Sequence, residues 1–194
     1  LISVYQFDND YLADVLEKAL KRKVSITLLL EGAPVTRQIP QNELYMAKRL
    51  TKRGAKIYFY DDPNTREQRR FKFMHAKYAI VDDERVMVGS ANYGNRGHPV
   101  DSSFGNREWE VSIDDRDAAR YFKAAFEYDR SQKEWVVYGT NERYTLQDPQ
   151  YQPDRTVLRG KYPAELTPTE DVNVNVQTIF APDNGLSTEN GIRA

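Results

Sequence analysis

The chain has no cysteine and only two histidines, His75 and His98. The missing cysteine excludes disulfides and thiolate chemistry. Two histidines without a thiol also leave a zinc centre short of its usual ligands. No metal or cofactor is therefore expected, although plentiful carboxylates leave a weak magnesium or calcium site open on composition alone. No apolar run approaches the roughly eighteen residues of a membrane-spanning helix. The longest, such as residues 26–30 interrupted by Thr27, have the length of a strand. Charge of one sign is missing too. The 28 Lys and Arg nearly balance 29 Asp and Glu, for a net charge of -1. A nonspecific nucleic-acid binder usually carries a basic surface, and this chain on average does not.

What is present describes a globular protein. Hydrophobic residues make up 40 % of 194 residues and aromatics 12 %, enough for one sizeable core or one core with an extension. Residues 1–7 read as a strand, and Asp8-Asn9-Asp10 supplies capping chemistry for a helix. In that helix Leu12, Val15, Leu16, Ala19 and Leu20 form one apolar stripe. Residues 24–30 show little alternation, as a strand buried on both faces should. A second helix is expected over 41–53, with Leu44, Ala47 and Leu50 inward and Gly54 as its C-terminal cap. Residues 56–60 read as a third strand. Strand, helix, strand, helix, strand argues for an α/β fold with a largely parallel sheet.

Further on, residues 61–70 form a charged loop. Arg66, Arg69, Arg70 and Lys72 lie just upstream of His75, where they can line the path of an anionic substrate. A polar loop at 93–105 carries His98 between Gly97 and Pro99, read as a loop residue. A strand at 106–113 and a helix at 117–128, with Ala119, Phe122 and Phe126 inward, follow. Trp109 and Trp135 read as packing residues. Five of nine prolines fall after residue 139, so 139–170 reads as irregular, and 173–180 alternates well enough for one strand.

The most informative stretch runs from His75 to Asn92. Alternation over 75–80 is a strand signal and should place His75 and Lys77 on one face. Asp82-Asp83-Glu84 is turn-like, residues 86–88 form a second apolar strand, and Gly89-Ser90-Ala91-Asn92 closes it. A strand, turn and strand can return Ser90 and Asn92 to the side of His75 and Lys77. The group would then hold an imidazole, an ammonium, a hydroxyl and an amide, which together suit a phosphoryl group.

Written as H-x-K-x4-D-x6-G-S-x-N, this stretch resembles the HKD motif of the phospholipase D superfamily at every fixed position. Chance agreement at six fixed positions is on the order of 20 to the power of minus six, so the signal is strong. The resemblance implies an α/β/α layered sandwich with a mixed, largely parallel sheet. It implies a catalytic unit over residues 1–138, an irregular Pro-rich extension over 139–172, and a strand over 173–194 that opens a following unit. It implies a phosphodiesterase with His75 as nucleophile or general acid. Lys77, Ser90 and Asn92 would bind the phosphoryl oxygens. Asn106-Arg107-Glu108 matches the family's N-x-E element, so Glu108 would orient His75, with Glu110 as the alternative. Asp82 and Gly89 would be structural, Asp82 by accepting backbone hydrogen bonds at the turn and Gly89 by permitting close approach.

Family chemistry needs two histidines, and this chain carries one HKD motif. The partner is therefore expected to be a second HKD unit, in the same longer chain or in a homodimer. The substrate class favoured is a phospholipid, by hydrolysis or transphosphatidylation. The alternatives are an endonuclease acting on DNA or RNA, and a unit that has lost catalysis and serves binding or scaffolding. The intact motif argues against the last of these.

Overall fold

The computed structural model describes residues 1–36, 38–61, 70–100, 104–153, 173–178 and 180. Its first half follows the sequence pattern: β1 (Ile2–Val4), α1 (Asp10–Lys21), β2 (Thr27–Glu31), α2 (Gln41–Lys52) and β3 (Lys56–Tyr60). β1 pairs with β2 and β2 with β3, both parallel. The helix ends behave as their residues dictate. The Asn9 side chain accepts from Leu12 N–H at 3.0 Å and caps α1. At the end of α2, Gly54 has φ 98°; its N–H donates to Thr51 O at 2.9 Å, and Ala55 N–H donates to Leu50 O at 3.1 Å. That pair of bonds is a Schellman closure, which needs a left-handed residue where glycine stands.

From the motif onward the pairing changes. β4 (Tyr78–Val81), β5 (Arg85–Gly89) and β6 (Glu110–Ile113) are antiparallel neighbours, and β4 runs antiparallel to β1. After α3 (Arg116–Ser131), β7 (Trp135–Val137) closes the other edge antiparallel to β3. The order across the seven strands is β6-β5-β4-β1-β2-β3-β7. The sheet is mixed, and its parallel part is confined to β1, β2 and β3. A largely parallel sheet was too broad an expectation, because the β4–β5 connection is far shorter than a parallel crossover requires. That connection is a tight turn in which Asp82 and Asp83 have φ 52° and 58°, and Glu84 N–H donates to Val81 O at 3.1 Å. Positive φ at both central residues is the signature of a type I′ hairpin turn. The Asp82 side chain is exposed, and among the described residues no backbone N–H donates to it. Its structural contribution is tolerance of the left-handed region rather than the side-chain acceptor role expected. Asp82→Val should cost about 1–2 kcal/mol and Asp82→Gly should not, as read from urea unfolding midpoints.

Alternation along the central strands builds two cores. Ile2, Val4, Leu28, Leu30, Ile57 and Phe59 face α1 and α2. Leu29, with Tyr78, Ile80 and Val86, faces α3 through Ala118, Ala119, Phe122 and Phe126. The result is a helix–sheet–helix sandwich. In α1 the buried stripe centres on Ala13 and Leu20, flanked by Leu12, Leu16 and Ala19, while Val15 is 58 % exposed. Val15, expected in the apolar stripe, lies outside it. α1 and α2 are also tied by Arg49, whose guanidinium meets Asp10, Asp14 and Glu17.

The packed core continues past residue 138. A short 3-10 helix (Glu142–Tyr144) buries Tyr144 completely, stacked on Phe59 with ring centroids 5.3 Å apart. Leu146 is buried beside it. Tyr144→Ala should therefore destabilise the domain by about 3 kcal/mol or more, measured by denaturant unfolding. Residues 173–178 carry no strand, contrary to the alternation read over 173–180. Within that stretch Phe180 packs on Phe122 at 4.8 Å and on Tyr78 at 5.6 Å. The expected start of a following unit beyond residue 180 lies outside the described residues.

Candidate active site

Strand directions decide where the motif residues meet. β4 is antiparallel to β1, so its N-terminal end lies beside the C-terminal end of β1. β5 returns antiparallel to β4, which brings Ser90 to the same edge, and Gly89 N–H donates to Lys77 O at 3.1 Å. β6 runs antiparallel to β5, so residues just before Glu110 arrive there too. Four chain segments thus converge at one edge of the sheet, and each carries a motif residue or a neighbour of one.

His75 and Lys77 precede β4 instead of lying on it, since β4 begins at Tyr78. Their side chains nevertheless meet. Lys77 Nζ lies 3.1 Å from His75 Nδ1 and donates to His75 O at 2.8 Å. His75 is exposed, whereas Lys77 is 8 % exposed. Burial, with Glu108 opposing it, brings the Lys77 ammonium down to about 8. Partial burial, and then the charge of Lys77, lowers the His75 pKa from its ordinary value. With the ammonium donating to Nδ1, a neutral His75 carries its proton on Nε2.

Ser90 and Glu108 form the other half. Ser90 Oγ donates to Glu108 Oε2 at 2.6 Å and accepts from Trp109 N–H at 3.2 Å. Asn106 Nδ2 donates to Glu108 Oε1 at 3.1 Å. These hydrogen bonds, Ser90 first, hold the Glu108 carboxyl below its usual range. The N-x-E element therefore folds on itself, with its asparagine holding its glutamate. Glu108 reaches Lys77 through charge. Nδ1 of His75, where an orienting carboxylate was expected, faces Lys77 instead. Gly89 permits the close approach: a Cβ there would lie 2.5 Å from Glu110 Cγ and 2.9 Å from Trp109 O.

Asn92 sits one turn further on. Its Oδ1 is buried and finds no hydrogen-bond partner among the described residues. Its carbonyl lies 3.1 Å from Nδ1 of His98, whose Nε2 lies 3.0 Å from Glu110 Oε1. His98 also packs edge-on against Tyr93 at 5.0 Å, and its own carbonyl accepts from Asn9 Nδ2 at 2.9 Å. The second histidine is thus built into the support of Asn92, which a Gly-His-Pro loop did not announce. Glu110, the alternative orienting carboxylate, is engaged by His98.

Two further residues escaped the sequence. Tyr5, just after β1, places its ring 4.9 Å from the His75 ring. Glu31, at the end of β2, accepts from Met74 N–H at 2.6 Å and from Ala33 N–H at 2.8 Å, so it pins the residue before His75. Trp109, read as a packing residue, is 60 % exposed beside the site, whereas Trp135 packs on Tyr60 at 5.3 Å. Of the upstream cations, Arg66 and Arg69 lie outside the described residues. Arg70 is engaged by Asp129 at 2.8 Å and stacks on Phe71 and Tyr128.

Comparison with known proteins identifies the family. The profile of the family described as "Cardiolipin synthase, PLD-like domain" matches residues 1–130. Cardiolipin synthase 1 of Staphylococcus aureus is 28 % identical over 122 residues, 63 % of this chain and 22 % of that protein. Cardiolipin synthase B of Salmonella typhi is 28 % identical over 92 residues, 47 % of this chain and 20 % of that protein. The chain thus spans about a fifth of the length of these relatives. Among solved structures, the phospholipase D family member Nuc of Salmonella typhimurium superposes with a TM-score of 0.56 at 16 % identity, covering 71 % of this chain and 79 % of Nuc. NucT of Helicobacter pylori gives 0.52 at 20 % identity, covering 70 % and 79 %. The fold is shared with both. The motif, the converging strand ends and the family match over most of the described sandwich lead to one conclusion: this chain belongs to the phospholipase D superfamily, in its cardiolipin synthase, PLD-like domain family.

Proposed function

We propose that this chain supplies one half of a phosphodiesterase site that works on phospholipid head groups through a phosphohistidine at His75. The observation that carries the reading is the His75–Lys77 pair, 3.1 Å apart at the sheet edge where Ser90 and Glu108 also arrive. A bound phosphodiester offers Lys77 a charged acceptor in place of Nδ1. Freed of that contact, the ring can hold its proton on Nδ1 and attack phosphorus through Nε2. An N–P bond forms as the P–O bond to the leaving alkoxide breaks, and a second histidine donates the proton that the alkoxide takes. Water or an alcohol then attacks phosphorus, gives its proton to that second histidine, and the N–P bond breaks. Lys77, Ser90 and the amide of Asn92 neutralise or hydrogen-bond the non-bridging oxygens.

The second histidine comes from another HKD unit, in the same polypeptide or in a second copy, because His98 has no lysine two residues on and is committed to Asn92 and Glu110. Phospholipid is favoured over nucleic acid by two observations. The relatives are named cardiolipin synthases, and the net charge of -1 supplies no general attraction for a polyanion. A transfer to an alcohol on a second lipid is the version of the reaction that those names support.

The test is turnover by the full-length protein in EDTA, side by side on bis(p-nitrophenyl) phosphate, phosphatidylglycerol vesicles and plasmid DNA. Turnover of the small diester and of the vesicles is the expected result. Cleavage of DNA with lipid untouched replaces the lipid reading with a nuclease. No turnover on any of the three rejects the enzyme.

A further inference from the structure

We propose that Tyr5 is a positioning residue for His75 and Lys77, an aromatic wall that keeps imidazole and ammonium at the site while Lys77 exchanges Nδ1 for the phosphoryl group. The inference rests on the roles given above to His75 and Lys77. Its geometry concerns a residue outside the motif, just after β1.

One ring touches both functional side chains. The Tyr5 and His75 ring centroids lie 4.9 Å apart with the planes tilted by 60°. Lys77 Nζ lies 5.6 Å from the centroid of the same Tyr5 ring, inside cation–π range. The ring is itself held from several sides. It follows β1, whose three residues are all buried. Phe73 meets it edge-on at 6.2 Å and 82°. Its hydroxyl accepts from Val35 N–H at 3.0 Å. A tyrosine has two side-chain torsions, and the Phe73 and Val35 contacts restrain both.

The two side chains it restrains need that help. His75 is exposed, and among the described residues its side chain meets Lys77 and the Tyr5 ring. Lys77 carries a long flexible stem, whose ordering costs rotamer entropy. Without the ring, His75 would turn into solvent and Lys77 would lose one wall of its enclosure. Displacement by about 1 Å of a reacting group costs on the order of 100-fold in rate. Burial is the larger cause of the lowered pKa of both side chains, and the Tyr5 ring is part of what buries them. Among the described residues the charged groups that face the pair are Lys77, which faces His75, and Glu108, which faces Lys77.

The experiment compares Tyr5→Leu and Tyr5→Phe with the parent in the full-length protein, by two readouts. The first is the rate at which diethyl pyrocarbonate modifies His75, followed by peptide mass spectrometry with His98 as the internal reference. His98 is held by Asn92, Glu110 and Tyr93 and has no contact with Tyr5. The second is kcat and KM on bis(p-nitrophenyl) phosphate. Tyr5→Leu should raise the His75-to-His98 rate ratio by about 3-fold or more and lower kcat by about 10- to 100-fold, with KM changed by less than about 3-fold. Tyr5→Phe should restore both, since it keeps the ring. If both histidines become reactive together, Tyr5→Leu has unfolded, and Tyr5→Met, which keeps bulk without a ring, takes its place. An unchanged ratio overturns the wall. A raised ratio with unchanged kcat overturns the positioning role. A raised ratio in a protein whose parent turns over nothing leaves the wall standing and removes the enzymatic reading, so the two failures are distinguishable.

Discussion

His75→Ala should lower turnover by on the order of 10^4-fold or more while the fold stays in place. The size follows from the proposed role, in which the His75 imidazole carries the covalent bond to phosphorus. Asn92, Ser90 and Lys77 would still bind the phosphoryl group, so KM should move far less than kcat. The fold should hold because His75 is exposed and, among the described residues, meets the Tyr5 ring and the Lys77 ammonium. Losing those contacts should change unfolding free energy by less than about 1 kcal/mol. Full turnover in the alanine variant, with a native circular dichroism spectrum, would sink the mechanism. The pH profile gives a second check. His75 must be neutral to attack, and burial and Lys77 lower its pKa, so the acid limb of kcat should lie below about pH 6.5. In the proposed mechanism the second histidine must be protonated and Lys77 charged, so the rate should fall again on the alkaline side, with Lys77 contributing as it loses its proton at about 8. An alkaline limb that does not move in Lys77→Arg, provided that variant is active, would show that Lys77 is not its source.

Much of this site is legible in the residues, and the rest is hidden for physical reasons. His75, Lys77, Gly89, Ser90 and Asn92 announce themselves because their spacing is set by a hairpin, and a hairpin is local. Gly54 and Asn9 are legible for the same reason, since a helix cap depends on its own next few residues. Glu108 was reachable through the N-x-E spacing, but its partner was not. Which group fills Nδ1 of His75 depends on side-chain reach across strands, and Lys77 is nearer than the carboxylate. Tyr5, Glu31 and His98 act on the site from just after β1, from the end of β2 and from a loop, across separations of 70, 43 and 6 residues in their contacts to His75, Met74 and Asn92. No periodicity records such a contact. The antiparallel edge strand β7 was missed because three residues, Trp135–Val137, are too few to alternate, and only pairing with β3 defines them.

Glu43 is the case where pattern and charge disagreed, and it supports the second large prediction. A glutamate in the first turn of α2 reads as a solvated partner of the helix dipole. In the structure it falls on the stripe of Ala47 and Leu50, is 2 % exposed, and accepts from Phe7 N–H at 2.9 Å. Burial, reinforced by the charges of Asp8 and Glu31 and opposed by the Phe7 hydrogen bond, raises its pKa to about 8. In the unfolded chain the group titrates near 4.5. The folded protein therefore binds one more proton than the unfolded chain between those values. The sign follows: the contribution to stability is fully present below about pH 4.5 and is lost as pH rises through about 8. Within that window the wild type should lose at most about 1.4 kcal/mol per pH unit from this group. Glu43→Gln keeps an acceptor for Phe7 N–H and carries no charge at any pH. It should be close to the parent in stability at about pH 5 and more stable by roughly 2 kcal/mol or more at about pH 8.5, read from urea midpoints at the two values. Asp8, whose pKa burial also raises, remains in the variant and should leave a smaller slope of the same sign. A variant with the same pH dependence as the parent would mean that Glu43 is charged in its buried place, with its desolvation met by contacts other than Phe7.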